Sequence, residues 1–213
     1  MTTSITHCAR LYYIHDPMCS WCWGFRPAWQ QLRANLPAEI ELVSRVGGLA
    51  PDSDQPMDPA LREQLQATWK RIMQQIPGTE FNFEFWSRNT PRRSTYPACR
   101  AVISARQMNN LDAQMTLAIQ QAYYLQARNP SDLEVLADCA HSIGLERDAF
   151  IQHMTSPQLE QDFDHELQQV RALGVNSFPS LLLEQGNTRW DIPLRYTSAQ
   201  AMLEDINQLL GIG

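Results

Sequence analysis

No stretch of this chain approaches the roughly 20 consecutive apolar residues that a membrane-spanning helix needs. The first ten residues, Met1 to Arg10, carry neither a basic n-region nor a hydrophobic core. No secretory signal is therefore expected, and the chain reads as cytoplasmic, in a pool of reduced thiols. A second C-x-x-C is missing, as is any H-x₃₋₅-H, so a zinc site lacks ligands and no metal is expected. There is no internal repeat and no low-complexity tract. Excess positive charge is also lacking: 17 Lys and Arg stand against 23 Asp and Glu, a net charge of −6. That balance argues against nucleic acid or an anionic membrane as a main partner. Cysteine is scarce and odd in number, with Cys8, Cys19, Cys22, Cys99 and Cys139 making five. Three of them stand alone, which is not the pattern of a disulfide framework. These singles read as small buried hydrophobes, with an exposed thiol in a loose terminus as the alternative for Cys8.

What is present is enough to fold. At 213 residues and 44% hydrophobic content the chain suits one large domain, or a domain carrying a sizeable insertion. Arg10 to His15 is nearly continuous in apolar and aromatic residues, as a central strand would be. Asp16-Pro17 breaks it, and a helix is predicted from about Ser20 to Leu36. Glu39 to Val46 alternates as a second strand, ended by Gly47-Gly48. The next hundred or so residues read as helical: about 59–75, with Leu61, Leu65, Trp69, Ile72 and Met73 on one face, then 95–108, 111–127, 131–143, 146–154 and 157–173. Ser131 and Ser156-Pro157 mark helix starts, and Gly144 a helix end. Phe81 to Trp86 is aromatic and irregular, either a short extended piece or a loop. At Val175 the strand pattern returns: Ser177 to Glu184 is a turn-like entry into a strand, and Thr188 to Ile192 returns antiparallel across a Gly186-Asn187 hairpin turn. A last helix runs from Thr197 to Leu210, with Thr197 and Gln200 spaced as a capping box.

The chemistry sits in Cys19-Ser20-Trp21-Cys22. A strand, a turn and a helix put Cys19 beside a helix N-terminus, where free N–H groups and the macrodipole favour an anion, here a thiolate. Cys22, one turn further in, shares that face and can reach the first sulfur. One cysteine attacks and the other resolves, the arrangement of a dithiol redox site. Trp21 between them is expected to face outward, either as a platform for an unfolded peptide or folded onto its own helix. His15 and Asp16 are candidates for proton handling. Arg88, Arg92, Arg93, Arg100 and Arg106 form the densest basic stretch, a solvated face or a site for glutathione carboxylates.

With a C-x-x-C at the first strand-helix turn and Phe178-Pro179-Ser180 before the third strand, the chain resembles the DsbA-like branch of the thioredoxin superfamily. Asp16-Pro17-Met18-Cys19-Ser20-Trp21-Cys22-Trp23-Gly24-Phe25 looks particularly like its leaderless bacterial members, called predicted protein-disulfide isomerases. The resemblance implies an α/β thioredoxin-like fold, βαβ…ββα, interrupted by a large all-helical insertion. Residues 8–50 and 174–213 would form the thioredoxin-like part and 51–173 the insertion. It also implies a cis bond at Pro179, with Phe178 and Pro179 offering backbone groups to an extended peptide. Where relatives carry a buried acid six positions before the first cysteine, this chain has Tyr13. Where the strong periplasmic oxidant has Pro-His between its cysteines, this chain has Ser20-Trp21, so a less oxidising couple is expected.

The activity implied is a thiol-disulfide oxidoreductase of reductase or isomerase type, acting on protein or peptide dithiols and disulfides. No bound cofactor is expected, glutathione is a possible redox partner, and monomer and homodimer stay open. The alternative is a glutathione-dependent transferase or isomerase of small molecules, like kappa-class transferases and hydroxychromene carboxylate isomerases. Those usually carry serine at the attacking position, so the intact pair counts against it. A chaperone or scaffold using an aromatic groove is a third reading.

Overall fold

A computed structural model describes residues 9–212; Cys8 and His7 lie outside the described residues. The elements run β1 (Ala9–His15), α1 (Ser20–Asn35), β2 (Ile40–Val46), α2 (Pro59–Gln75), α3 (Phe85–Arg88), α4 (Tyr96–Asn109) and α5 (Asp112–Tyr124). They continue α6 (Leu133–Ser142), α7 (Arg147–Met154), α8 (Pro157–Ala172), β3 (Ser180–Gln185), β4 (Thr188–Ile192) and α9 (Ala199–Leu210). The four strands form one sheet in the order β2-β1-β3-β4. β1 pairs with β2 in parallel, Tyr13 opposite Ser44, and with β3 antiparallel, Tyr13 opposite Leu181. β3 and β4 make the antiparallel hairpin across Gly186, whose φ of +58° suits glycine. The result is a mixed α/β thioredoxin-like fold with α2 to α8 between its second and third strands.

Apolar spacing decides where each element packs. Leu11, Tyr13, Leu181 and Leu183 share a sheet face, covered by Phe25, Trp29 and Leu32 of α1 and Met202 and Ile206 of α9. A second core lies among α4 to α8, with Val102, Ile119, Leu136, Phe150 and Phe163 fully or almost fully buried. Ser156 caps α8, accepting from the Leu159 N–H at 3.3 Å, and Leu159, Phe163, Leu167 and Val170 are its buried stripe.

A third, aromatic core joins α1 to the helical part. Trp69 of α2 stacks on Phe81 with ring centroids 4.8 Å apart, and Trp23 of α1 stacks on Tyr124 of α5 at 5.6 Å. These contacts explain the irregular stretch read as an extended piece or a loop. Phe85 and Trp86 are instead in the one-turn helix α3, because both rings must turn inward onto Trp69.

Three local expectations differ. Met73, placed on the buried face of α2, is 41% exposed; Trp69 and Ile72 are the buried residues of that helix, with Leu65 packed beside them. Ser131 does not cap α6; its hydroxyl donates to the Ser94 carbonyl at 2.7 Å, and Asp132 is the N-cap residue. The last helix begins at Ala199, capped by Ser198, whose Oγ accepts from the Ala201 N–H at 3.2 Å, so Thr197 and Gln200 form no capping box.

Two buried carboxylates fasten the helical block to the sheet. Glu166 of α8 accepts from the Val46 N–H at 2.7 Å and pairs with Arg106 of α4 at 2.6 Å. Asp16, directly after β1 at the same end of the sheet, is held to α4 by the Thr95 hydroxyl at 2.6 Å. No helix of the described residues is long and apolar enough to cross a membrane.

Candidate active site

The parallel β1–β2 pair and the start of α1 meet at one end of the sheet, and the two cysteines stand there. Cys19 is the N-cap residue of α1, in extended geometry with φ −80° and ψ 117°, and its carbonyl accepts from the Trp23 N–H at 3.1 Å. Its own N–H donates to the Asp16 carbonyl at 3.0 Å, closing the turn that Asp16-Pro17 begins. No side chain caps the helix, so the first N–H groups of α1 are left to serve whatever charge develops on Cys19.

Cys19 is 6% exposed, and Cys22 is wholly buried against the sheet. Burial, then the hydrogen bond and charge of Cys19, hold the Cys22 thiol well above its ordinary range, against a pull from the Asp16 N–H. Both thiols are free, as are Cys99 and Cys139.

Phe178 and Pro179 close over the pair. Their peptide bond is cis, and the Cys19 thiol donates to the Phe178 carbonyl at 3.3 Å. Gly47 makes room for this loop, a role invisible in the sequence beyond the Gly47-Gly48 doublet. A Cβ there would fall 2.0 Å from the Phe178 ring. Beside the loop a groove of about 520 Å³ is lined by Trp21, Ile76, Phe178, Pro179, Leu194 and Tyr196. Trp21, expected to face outward, is half-buried, because its ring meets the edge of Tyr196 at 5.4 Å. Tyr196 was not singled out from the sequence; it lies in a polar turn with no pattern to mark it.

The Asp16 carboxylate is fully buried and draws four donors from three parts of the chain. Oδ1 accepts from the Met18 N–H at 2.8 Å. Oδ2 accepts from the Leu49 N–H at 2.8 Å, the Thr95 hydroxyl at 2.6 Å and the Cys99 thiol at 3.5 Å. Burial raises its pKa, and the bonds from Thr95, Leu49, Met18 and Cys99 pull it back in part. Cys99 is thus tied to the redox turn as a donor, with its own thiol pushed well up by burial and by Asp16.

His15 adjoins the same turn but is oriented away from it. It stacks on Tyr13 at 4.8 Å, and its Nε2 meets the Ser44 hydroxyl at 3.3 Å. Burial, aided by the charge of Arg106, lowers it to about 3, so it stays neutral near pH 7 and is a weak base. A consequence is measurable. The unfolded histidine binds a proton below about 6.5 and the folded one does not until about 3, so stability falls as pH drops through that window. Replacing His15 by Phe removes this contribution. The urea-derived stability gap between wild type and His15→Phe is expected to shrink by about 2–3 kcal/mol from pH 6.5 to 4.5. Parallel curves would mean that His15 titrates alike in both states.

Four of the five arginines of the basic stretch pair with separate carboxylates rather than converging on one site. Arg88 pairs with Glu84, Arg92 with Asp132, Arg100 with Asp52 and Glu160, and Arg106 with Glu166. Among the described residues no three His, Cys, Asp or Glu side chains are grouped to hold a metal ion.

A family model described as thioredoxin matches residues 12–191. The chain belongs to that thioredoxin family. A search of the curated proteins found no match. Among solved structures, a Nitrosomonas europaea protein described as a disulfide isomerase is 29% identical, with a TM-score of 0.81 over 95% of this chain and 98% of that one. The cytosolic disulfide reductase DsbM of Pseudomonas aeruginosa, solved with GSH, is 25% identical, with a TM-score of 0.75 over 95% and 99%. The Xylella fastidiosa oxidoreductase DsbA shares the fold at 13% identity, with a TM-score of 0.61 over 98% and 87%. The structural neighbours of the chain are DsbA-family oxidoreductases.

Proposed function

We propose that this protein is a thiol–disulfide oxidoreductase of the reductase or isomerase type, with Cys19 as nucleophile and Cys22 as resolving thiol. Family membership and the DsbA-type neighbours support the general class. The observation that carries the finer reading is the asymmetry of the pair. Cys19 lies at the helix N-terminus under the Phe178–Pro179 loop, whereas Cys22 is wholly enclosed with its thiol held protonated.

In the reducing direction the Cys19 thiolate attacks one sulfur of a substrate disulfide. That S–S bond breaks, the far sulfur leaves as a thiolate and takes a proton, and a mixed disulfide forms. Cys22 then loses its proton and attacks Cys19 Sγ, releasing the second substrate thiol and leaving the Cys19–Cys22 disulfide. Two electrons have passed to the substrate. Two molecules of glutathione would restore the dithiol and leave as glutathione disulfide. The solved complex of DsbM with GSH supports glutathione as that reductant, and the cytosolic location of DsbM supports a cytoplasmic setting.

Substrates would lie in the groove as extended peptides, with Trp21, Tyr196 and Ile76 offering apolar contact beside the Phe178 and Pro179 backbone. Asp16 acts on Cys22 through its charge, and His15 takes no proton.

The deciding experiment is the Cys19–Cys22 equilibrium across glutathione redox buffers, followed by tryptophan fluorescence and by alkylation with mass analysis. Reversible two-electron closure is expected at a potential between roughly −270 and −120 mV. A pair that never closes, or stays closed below about −300 mV, sinks the dithiol reading and brings glutathione-dependent transfer forward.

A further inference from the structure

On the β2 side of α1 lies a second cavity, which the exchange chemistry does not use. It encloses about 490 Å³ between α1, the β1–β2 edge of the sheet and the first turns of α5. Tyr13, Trp29 and Gln120 form its buried floor; Arg26 stands half-buried on its wall, and Arg33 and Gln114 are exposed at its mouth. A volume of this size falls in the range of small-molecule sites.

The lining has unmet hydrogen-bonding capacity. Two buried polar atoms of lining residues, Arg26 Nε and His15 Nδ1, have no hydrogen-bond partner among the described residues. Buried polar groups are as a rule satisfied, so two on the lining of one cavity point to an occupant that bonds them.

The lining also has unbalanced positive charge. Arg26 and Arg33 stand seven residues apart on α1, two helical turns and about 10 Å along one face. Among the described residues neither pairs with a carboxylate. Arg26 instead donates to Gln30 Oε1 at 3.3 Å and lies over the Trp23 ring at 4.6 Å, and its Nε has no partner. Asp112 is the one acid on the cavity wall, and Arg106 lies 3.9 Å from it. The α5 N-terminus, uncapped by any side chain, adds the positive end of a helix dipole at the rim.

We propose that this cavity binds a small organic dicarboxylate. One carboxylate takes Arg26, the guanidinium being suited to bidentate contact, with the Gln120 amide and Tyr13 hydroxyl beside it. The second meets Arg33 at the mouth, and the stem between them lies on the Tyr13 and Trp29 rings, which stack at 4.0 Å. The site is separate from the dithiol reading, and neither depends on the other.

The test is isothermal titration of the reduced, full-length protein with adipate, S-methylglutathione and inorganic phosphate at low salt. Both organic probes carry two carboxylates, and the blocked sulfur of S-methylglutathione keeps it from exchanging with Cys19. One-to-one binding of at least one of them, tighter than about 1 mM, is expected, and the preferred probe tells an aliphatic from a peptide-like ligand. Arg33→Glu and Gln120→Leu should each weaken it by roughly tenfold or more, while Arg171→Glu, exposed on α8 outside the cavity, should not. Should Gln120→Leu fail to fold, Arg33→Glu at its exposed position still decides. No binding of either dicarboxylate, binding of phosphate alone, or binding that survives the cavity variants or falls equally with Arg171→Glu overturns the proposal.

Discussion

Replacing Cys19 by serine is expected to reduce disulfide exchange to background, a loss on the order of 10³-fold or more. Replacing Cys22 by serine should stop the reaction one step later. The reason is geometric as well as chemical. A serine hydroxyl at position 19 cannot stand as an anion near neutral pH, so the attacking species is removed outright. Cys22 cannot stand in for it: with no exposed surface and a thiol held well above its ordinary range by burial, it is beyond the reach of an incoming disulfide. With Cys22→Ser, attack by Cys19 still takes place, and the substrate then stays attached. Mass analysis after quenching with acid should find a one-to-one adduct on Cys19 in Cys22→Ser and none in Cys19→Ser. Full turnover in Cys22→Ser would point to a monothiol route in which glutathione resolves the adduct. Full turnover in Cys19→Ser would end the mechanism proposed here.

What could be read from the sequence, and what could not, divides by distance along the chain. The strand-turn-helix around Cys19, the Ser156-Pro157 start and the Gly186-Asn187 hairpin depend on neighbours within a few residues, and all three are present as expected. The contacts that complete the site are made by residues far apart in the chain. Thr95 and Cys99 reach Asp16 across 79 and 83 residues, and Phe178 reaches Cys19 across 159. Nothing in the local pattern of Thr95-Tyr96-Pro97 distinguishes a hydroxyl aimed at a buried carboxylate from a helix cap. Likewise the inward turn of Phe85 and Trp86 comes from Trp69, an α2 residue, and aromatic packing of that kind has no period to detect. The resemblance to a family reached further than periodicity did, because Phe178-Pro179-Ser180 could be assigned to the loop over the cysteines without any knowledge of its contacts.

Asp16 is where the largest stability effect is expected. Asp16→Ala should cost about 3–5 kcal/mol in urea-derived stability. It strands the half-buried N–H groups of Met18 and Leu49 and the buried Thr95 hydroxyl, each worth up to about 1–3 kcal/mol when left unpaired, with partial relief as the site relaxes and water reaches the N–H groups. Asp16→Asn keeps the shape but turns one acceptor oxygen into a donor facing donors, so a smaller loss of about 1–3 kcal/mol is expected. The pH dependence carries a sign that identifies the carboxylate. Burial raises the Asp16 pKa in the folded state, so above pH 3.8 the native protein holds a proton that the unfolded chain has released. This contribution therefore weakens as pH rises from 3.8 through the folded value, opposite in direction to that of His15, and it should vanish in Asp16→Asn. The same variant separates two roles. Ionised Asp16 raises the Cys22 thiol through its charge, so removing that charge should let Cys22 ionise at lower pH. Decay of the mixed disulfide, followed by rapid quench across pH, should then shift to lower pH in Asp16→Asn. A shift to higher pH, or slower decay at every pH, would instead make Asp16 the acceptor of the Cys22 proton, and an unmoved profile would leave it a structural brace between the redox turn, the loop after β2 and α4.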